Sequence, residues 1–225
     1  MKSTRNIALV AGVLYLLTFV SIPTLALYGP VKSENYILST GPDTSAIIGG
    51  ILEITVALAG IGTAVTLFPV LKKQNEGAAL GLVASRVLEA STMFVGVAFL
   101  LSIVTLRQAG AGTNALVASH TLVLLYDRIF LLGQSFMPAV NDMLLGFLLF
   151  QSRLVPRSLS MIGIVGGPVL LAGYIAVLFG LIGQHAPSTA LAAIPVALFE
   201  FSLGVWLIAK GFNSSVANEL LKAAS

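Results

Sequence analysis

The sequence has no cysteine and only two histidines. Without cysteine it can form neither disulfides nor thiolate metal sites, and it has no cysteine nucleophile. Because His120 and His185 are the only imidazoles, a three-histidine zinc centre is excluded, and no His-Glu-x-x-His motif occurs. The chain also lacks a phosphate-binding P-loop. We therefore expect no cofactor and no metal, and an enzyme is the less favoured class.

Charged residues are scarce as well, at 9% of the 225 residues, whereas hydrophobic residues make up 57%. With a mean hydropathy of +0.99, such a chain is not a soluble domain but a bundle of membrane helices. The net charge of +3 does not indicate nucleic-acid binding, because the twelve basic residues are scattered along the chain. We expect an all-α membrane protein whose partner is the lipid bilayer, with no nucleic-acid partner.

Six apolar segments are each at or above the ~20 residues needed to cross a bilayer core. They cover about residues 6–28, 45–71, 77–106, 122–151, 158–183 and 190–210. The first segment is expected to be a retained helix, because its apolar run is longer than the ~7–15 residues of a signal peptide. The predicted fold is therefore a polytopic bundle of six transmembrane helices, with residues 1–225 in a single membrane domain.

Basic residues near the ends of these segments predict the topology. With the amino terminus inside the cell, the following eight lie on the cytoplasmic side: Lys2, Arg5, Lys72, Lys73, Arg153, Arg157, Lys210 and Lys222. Only Lys32 and Arg107 then lie in outer loops. Positive charge accumulates on the cytoplasmic side of membrane proteins. Both termini are therefore predicted to be cytoplasmic, in a multi-pass protein of the bacterial inner (cytoplasmic) membrane. The sequence sets no oligomeric state.

The connections between the segments differ in length. The one sizeable polar loop precedes the second span, which Asp43 or Thr44 can cap. Short connections at 72–77 and 152–157 make spans two and three, and spans four and five, antiparallel neighbours. Residues 116–126 form either an interfacial helix or an extension of the fourth span.

Glycine and proline predict how the helices pack and bend. Glycines four residues apart let helix backbones approach closely in lipid. Such pairs occur in spans three and five: Gly77 with Gly81, and Gly163 with Gly167. Prolines inside a span predict kinks, which free backbone carbonyls that can line a cavity. Three prolines are so placed: Pro138, Pro168 and Pro195.

Ionisable side chains inside the apolar segments are the main functional signal. There are seven: Glu53, Arg86, Glu89, Asp127, Arg128, Asp142 and Glu200. A charge in hydrocarbon costs at least ~2.5–3.5 kcal/mol, so it is retained where it is paired, solvated or useful. The rise of an α-helix places four of these side chains about 13–18 Å from the cytoplasmic boundary. Those four are Arg86, Glu89, Asp142 and Glu200, and they form a polar layer near the membrane centre.

This polar layer contains three carboxylates and one guanidinium. Arg86 and Glu89 are three residues apart and share a helix face, and Asp142 is the best cross-helix match for Arg86. Full ionisation would leave two uncompensated negative charges, so a bound proton, a cation or a water cavity is expected. Glu200 is the first candidate for the protonated carboxyl, because no basic residue lies nearer in sequence than Lys210. A purely structural ion pair at Arg86 is an equally open alternative.

The other three ionisable side chains lie near the outer boundary. Glu53, Asp127 and Arg128 are secondary candidates for a binding role. Their simpler interpretation is an interfacial salt bridge among themselves.

Three stretches of the chain resemble a known family when taken together. They are Ala-Gly-Val-Leu-Tyr-Leu-Leu at 11–17, Ser-Arg-Val-Leu-Glu-Ala at 85–90, and the Leu-Leu-Gly-Phe-Leu-Leu…Pro-Arg stretch at 144–157. The chain resembles domain of unknown function 4386 (DUF4386), a family of bacterial integral membrane proteins. The resemblance implies six membrane helices, no established activity, and Arg86 and Glu89 as the family's polar pair. It does not extend to Asp142 or Glu200.

The polar layer supports three functional hypotheses. The leading one is a membrane protein that binds or transports a small solute or protons at Arg86, Glu89, Asp142 and Glu200. In it Arg86 holds an anionic group or tunes the acids, and Glu89 or Glu200 exchanges the proton. The second is a structural or regulatory membrane subunit whose buried charges only hold helices together. The third is an intramembrane enzyme that acts on lipid through the same carboxylates.

Overall fold

The computed structural model of the chain describes residues 2–222, and no strand occurs in that range. The α-helices of this range are α1 Lys2–Thr18, α2 Ser21–Leu27, α3 Thr44–Leu71, α4 Glu76–Gln108, α5 Leu116–Phe130, α6 Phe136–Ser152, α7 Arg157–Leu178, α8 Pro187–Ala209 and α9 Ser214–Lys222. A π-helical segment, Leu131–Ser135, joins α5 to α6. Short 3-10 turns cover Tyr36–Leu38 and Gly112–Ala115.

Within residues 2–222, six helical stretches are long and apolar enough to cross a membrane, which confirms the predicted all-α six-helix fold. The first of them, Thr4–Leu27, is broken between α1 and α2. Pro23 explains the break, because a proline ring clashes with the carbonyl four residues earlier, here that of Phe19. That carbonyl accepts instead from the backbone N–H of Ile22 at 3.1 Å. This interruption was not predicted from the sequence.

The fourth stretch is helical from Gly112 to Ser152 without a turn. At 1.5 Å per residue its 41 residues extend about 60 Å, roughly twice the bilayer core. Residues 116–126 therefore extend the fourth span and do not form a separate interfacial helix.

The helices pack in a closed ring in the order α1, α3, α4, α6, α7, α8 and back to α1. The two predicted neighbour pairs, α3 with α4 and α6 with α7, are confirmed. The ring closes where α1 meets α8 at two glycines. A Cβ on Gly12 would lie 2.7 Å from the Gly204 carbonyl oxygen, so only glycine allows this approach.

The two predicted glycine pairs differ in how closely neighbouring helices approach them. In α7, a Cβ on Gly163 would lie 2.7 Å from Phe199, and one on Gly167 would lie 2.7 Å from the Ala139 carbonyl. In α4, nothing comes nearer than 3.6 Å to a Cβ built at either Gly77 or Gly81. The close-packing prediction is therefore confirmed for α7 and wrong for α4.

The predicted prolines lie inside helices, but only one of them reaches a cavity. Pro168 and Pro195 are internal to α7 and α8, and α3 contains a further internal proline, Pro69. Pro138 lies in the first turn of α6, directly after the π-helical segment, and lines the cavity described below.

Both ends of the described chain lie at one end of the bundle, which we call the terminal end. There the Arg5 guanidinium donates to the Leu207 carbonyl at 2.8 Å, and the Asn213 N–H donates to the Leu154 carbonyl at 2.8 Å. The connections that follow α3 and α6 also meet at this end. Their contact is a hydrogen bond from Gln74 to Gln151 of 3.4 Å.

The opposite end, which we call the loop end, is held by the residues that precede α3 and follow α4. Asp43 occupies the N-cap position of α3, but its side chain makes no cap bond, so the capping prediction is wrong. Its carboxylate instead pairs with Arg107 and accepts hydrogen bonds from Tyr36 and Gln108. Burial alone would raise the pKa of Asp43, but these hydrogen bonds and the Arg107 charge hold it below its usual value.

Candidate functional site

Arg86 lies three turns into α4 from its amino-terminal end and is only 4% exposed. Its Nη1 donates to Glu89 Oε2 at 3.0 Å, one turn further along α4. Its Nη2 donates to Glu200 Oε1 on α8, across the interior of the ring. The two terminal nitrogens of the guanidinium are thus both occupied by carboxylates, which satisfies a buried cation that would otherwise be costly. We call Arg86, Glu89 and Glu200 the charge triad.

A neutral hydrogen-bond chain from α4 to α6 fixes one member of the charge triad. Asn141 Nδ2 donates to Glu89 Oε2 at 2.7 Å, and Ser85 Oγ donates to Asn141 Oδ1 at 2.5 Å. Glu89 therefore accepts from both a cation and an amide. Ser85 and Asn141 were not among the predicted site residues, although each directly precedes one of them, Arg86 and Asp142 respectively. Polar neighbours of intramembrane charges were the available signal.

Asp142 is fully buried on α6, and neither of its carboxyl oxygens has a hydrogen-bond partner among residues 2–222. It lies near enough to Arg86, Glu89 and Glu200 to interact with their charges. The predicted ion pair between Arg86 and Asp142 is nevertheless wrong. Helix rise places both side chains at one depth, but the rotation of each helix about its axis decides which acid reaches the guanidinium. That acid is Glu200.

Two further polar groups beside the charge triad are unpaired within the described chain. The Nε of Arg86 and the hydroxyl of Tyr15 are both buried and have no hydrogen-bond partner there. The Tyr15 ring lies under the guanidinium, with 5.7 Å between the Arg86 Cζ and the ring centroid. The buried Tyr15 ring therefore packs against Arg86 on the side that faces α1, and this cation–π contact stabilises the positive charge of the guanidinium.

A cavity of about 510 Å³ connects the charge triad to the loop end. Arg86, Glu89 and Glu200 line its deep end, whereas Lys32, Asp127, Gln184 and His185 line its mouth. This volume is within the range of sites that bind small organic molecules. Asp142 does not line the cavity.

The walls of the cavity between these two polar ends are largely apolar. They include Val56, Met93, Phe130, Leu170 and Val196. A ligand inside would thus meet hydrocarbon along its body and charge only at its ends.

The π-helical segment contributes to this cavity through Gln134 and Ser135. A π-helical turn shifts the side chains that follow it around the helix axis, and such turns occur frequently at functional sites. Here the shift directs the Gln134 amide, which donates to Glu53 Oε1 on α3. The sequence Leu-Leu-Gly-Gln-Ser at 131–135 contains no motif that predicted the π turn.

The three secondary candidates do not pair with one another, contrary to the simpler interpretation. Glu53 is 2% exposed, and its second carboxyl oxygen has no partner within the described chain. Asp127 pairs with Lys32 at 2.5 Å. Arg128 is exposed on α5. Only Asp127 of these three reaches the cavity.

Residues 2–222 contain no group of three or more histidine or acidic side chains placed to hold a metal ion. The acids at this site are instead arranged around a guanidinium. The chemistry available is the exchange of a proton or the binding of a charged group against Glu89 and Glu200.

The sequence matches the family model for domain of unknown function 4386 over residues 10–211. Because the match covers most of the chain, the protein belongs to this family of unknown function. No curated protein and no solved structure matches the chain. The charge triad, the break in α1–α2 and the whole cavity lie within the matched residues.

Proposed function

We propose that this multi-pass membrane protein binds a small cationic solute or protons at the charge triad. The observation that carries the proposal is that the charge triad is not sealed by side chains but lines the deep end of a cavity. One guanidinium faces two carboxylates there, so the ionised charge triad has one excess negative charge. A bound cation or proton would neutralise this charge. Its electrostatic attraction to the carboxylates is stronger in a site of low dielectric than in water.

The geometry does not favour an anionic ligand. Both terminal nitrogens of Arg86 already donate to carboxylates, and its unpaired Nε is buried. An anion would have to displace Glu89 or Glu200 and would leave that acid as a second unpaired negative charge. Arg86 is therefore proposed to orient and stabilise the acids.

The two acids of the charge triad have different roles in this proposal. Glu89 is held by Arg86 and by the amide of Asn141. Among the described residues, Glu200 makes one side-chain hydrogen bond, to Arg86. A carboxylate with fewer partners is easier to redirect toward a ligand. Glu200 is thus the proposed ligand-binding and proton-exchanging acid, and Glu89 is a positioning residue.

One observation favours the alternative of a structural subunit. The Arg86–Glu200 ion pair joins α4 to α8, which are not adjacent in the ring. An ion pair across the interior could serve only to hold the ring together. This alternative requires that occupation of the cavity has no effect on the protein, so a binding experiment separates the two functions.

A small amine tests the proposed function. Butylammonium is expected to raise the melting temperature of the detergent-solubilised protein, because a ligand that binds only the folded state stabilises it by about 2.7 kcal/mol at 100 times its Kd. Butyrate, of the same size and opposite charge, should cause no shift. Glu200→Gln should abolish the response to butylammonium, whereas the exposed control Glu34→Gln should retain it.

Two results would reject binding of a cationic solute at the charge triad. One is a wild-type melting temperature that butylammonium leaves unchanged. The other is an equal response in wild type and Glu200→Gln.

We also propose that both termini are cytoplasmic and that the membrane is the bacterial inner membrane. The terminal end carries the basic residues Arg5, Lys72, Lys73, Arg153 and Arg157, and the positive-inside rule places such an end in the cytoplasm. A green fluorescent protein fused to the carboxyl terminus should fluoresce, and alkaline phosphatase fused there should be inactive. Active phosphatase at that position would reverse the orientation.

A further inference from the structure

Four apolar side chains line the cavity and are also exposed on the surface of the protein. On α2 these are Ile22 and Leu25, which are 64% and 55% exposed. On α8 they are Ala190 and Ala197. A side chain that both borders a cavity and faces outward lies at the rim of an opening. The rim residues on α2 and α8 lie in stretches that are apolar enough to be in the membrane.

The packing of the two helices leaves room for such an opening. After the interruption of the helix at Phe19 and Val20, α2 packs against α3, whereas α8 packs against α1 and α7. Toward the terminal end the two sides meet at Phe19 and Phe201, whose rings make an edge contact with 5.4 Å between centroids. The opening thus begins where the helix breaks and extends from that aromatic contact toward the loop end.

We propose that the cavity opens sideways into the membrane between α2 and α8 and binds an amphiphile with an ammonium head and a single apolar tail. This inference rests on the proposed function, since it takes from it the cationic head at Glu200. The tail would lie along Ile22, Leu25 and Ala190, and the head would reach the charge triad.

The chemistry of the cavity fits an amphiphile better than a fully polar solute. The Lys32–Asp127 ion pair crosses the mouth at the loop end, so a polar solute coming from water must pass a charged pair before it meets apolar walls. An amphiphile dissolved in the membrane meets apolar side chains at the α2–α8 rim first. Each methylene buried there should raise affinity about fourfold, which follows from ~0.8 kcal/mol per methylene.

The test compares two amines on rim variants of the whole protein in detergent. Octylammonium should bind wild type at least 10-fold more tightly than butylammonium. Ala190→Trp places a large side chain on the rim and should weaken octylammonium at least 10-fold while changing butylammonium less than threefold. The control Leu191→Trp, at an exposed neighbour that does not line the cavity, should leave both affinities unchanged.

A second measurement needs no variant. An octylammonium probe with a diazirine at the tail end, photolysed on the wild-type protein in liposomes, should label the rim residues Ile22, Leu25, Ala190 and Ala197. It should label Val165 and Leu80 much less, because these exposed side chains on α7 and α4 do not line the cavity and report only partition into the lipid.

The outcomes distinguish this inference from the proposed function. If butylammonium binds but octylammonium binds no better, or if the probe labels Val165 and Leu80 as strongly as α2 and α8, the lateral opening is rejected and cation binding stands. If neither amine binds wild type, solute binding at the charge triad, the part of the proposed function on which this inference rests, fails. Equal effects of Ala190→Trp and Leu191→Trp on octylammonium would also reject the lateral opening.

Discussion

Replacing Arg86 with methionine is expected to destabilise the folded protein by about 3–5 kcal/mol, the typical cost of breaking a buried ion pair from one side. The guanidinium is the only side-chain partner of Glu200 among the hydrogen bonds of the described chain, and one of two for Glu89. Without it, two carboxylates remain in an interior that solvates them poorly. The loss can be measured by equilibrium unfolding in detergent mixtures. The exposed control Arg128→Met should change stability by less than about 0.5 kcal/mol.

A triple variant tests whether the lost stability is electrostatic in origin. Combining Arg86→Met with Glu89→Gln and Glu200→Gln removes both unpaired charges, so most of the lost stability should return. If the three substitutions instead destabilise additively, the charge triad does not act as one electrostatic unit. That result would contradict the assignment of Glu200 as the partner of Arg86.

Asp142 is expected to be the carboxyl that carries a proton at neutral pH. An ionised carboxylate without hydrogen bonds costs several kcal/mol in a protein interior, whereas a neutral acid costs much less. Asp142 is fully buried and unpaired within the described chain, while Glu200 has the Arg86 guanidinium. The structure therefore moves this expectation from Glu200, which the sequence favoured, to Asp142.

Infrared spectroscopy of the protein in liposomes can check this assignment. The wild-type spectrum at pH 7 should contain the band of a protonated carboxyl group. Asp142→Asn should remove the band, and Glu200→Gln should leave it in place. A band that persists in Asp142→Asn and disappears in Glu200→Gln would restore the sequence-based assignment. Absence of the band in the wild type would show that no buried acid of the site is protonated at that pH.

The polar side chains near the loop end show that an ionisable side chain does not always pair with the opposite charge nearest to it in sequence. Asp127 is adjacent to Arg128, but it pairs with Lys32 from the loop before α3. Glu53 accepts a hydrogen bond through one carboxyl oxygen from the amide of Gln134, which a π-helical turn directs toward α3. Neither contact follows from helix periodicity, because one depends on a loop and the other on a local departure from α-helical geometry.

The sequence alone was sufficient for the class of fold. Hydropathy is a local property of the chain, so the number of membrane-crossing helices and their approximate positions follow from composition along the sequence. Depth follows equally directly from helix rise, and this placed Arg86, Glu89 and Glu200 in one polar layer before any contact was known. Short connections also determined two neighbour pairs, α3 with α4 and α6 with α7.

Only the tertiary structure decided which of these groups meet. The partner of Arg86 depends on the rotation of α4, α6 and α8 about their axes. That rotation is determined by packing, including the Gly12–Gly204 contact that closes the ring. The cavity likewise depends on the break at Phe19 and on the gap that it leaves beside α8. The depth of a side chain in the membrane is a property of one helix and can be counted from its residues. The pairing of side chains between helices and the cavity involve several helices, so they are determined only when the helices pack.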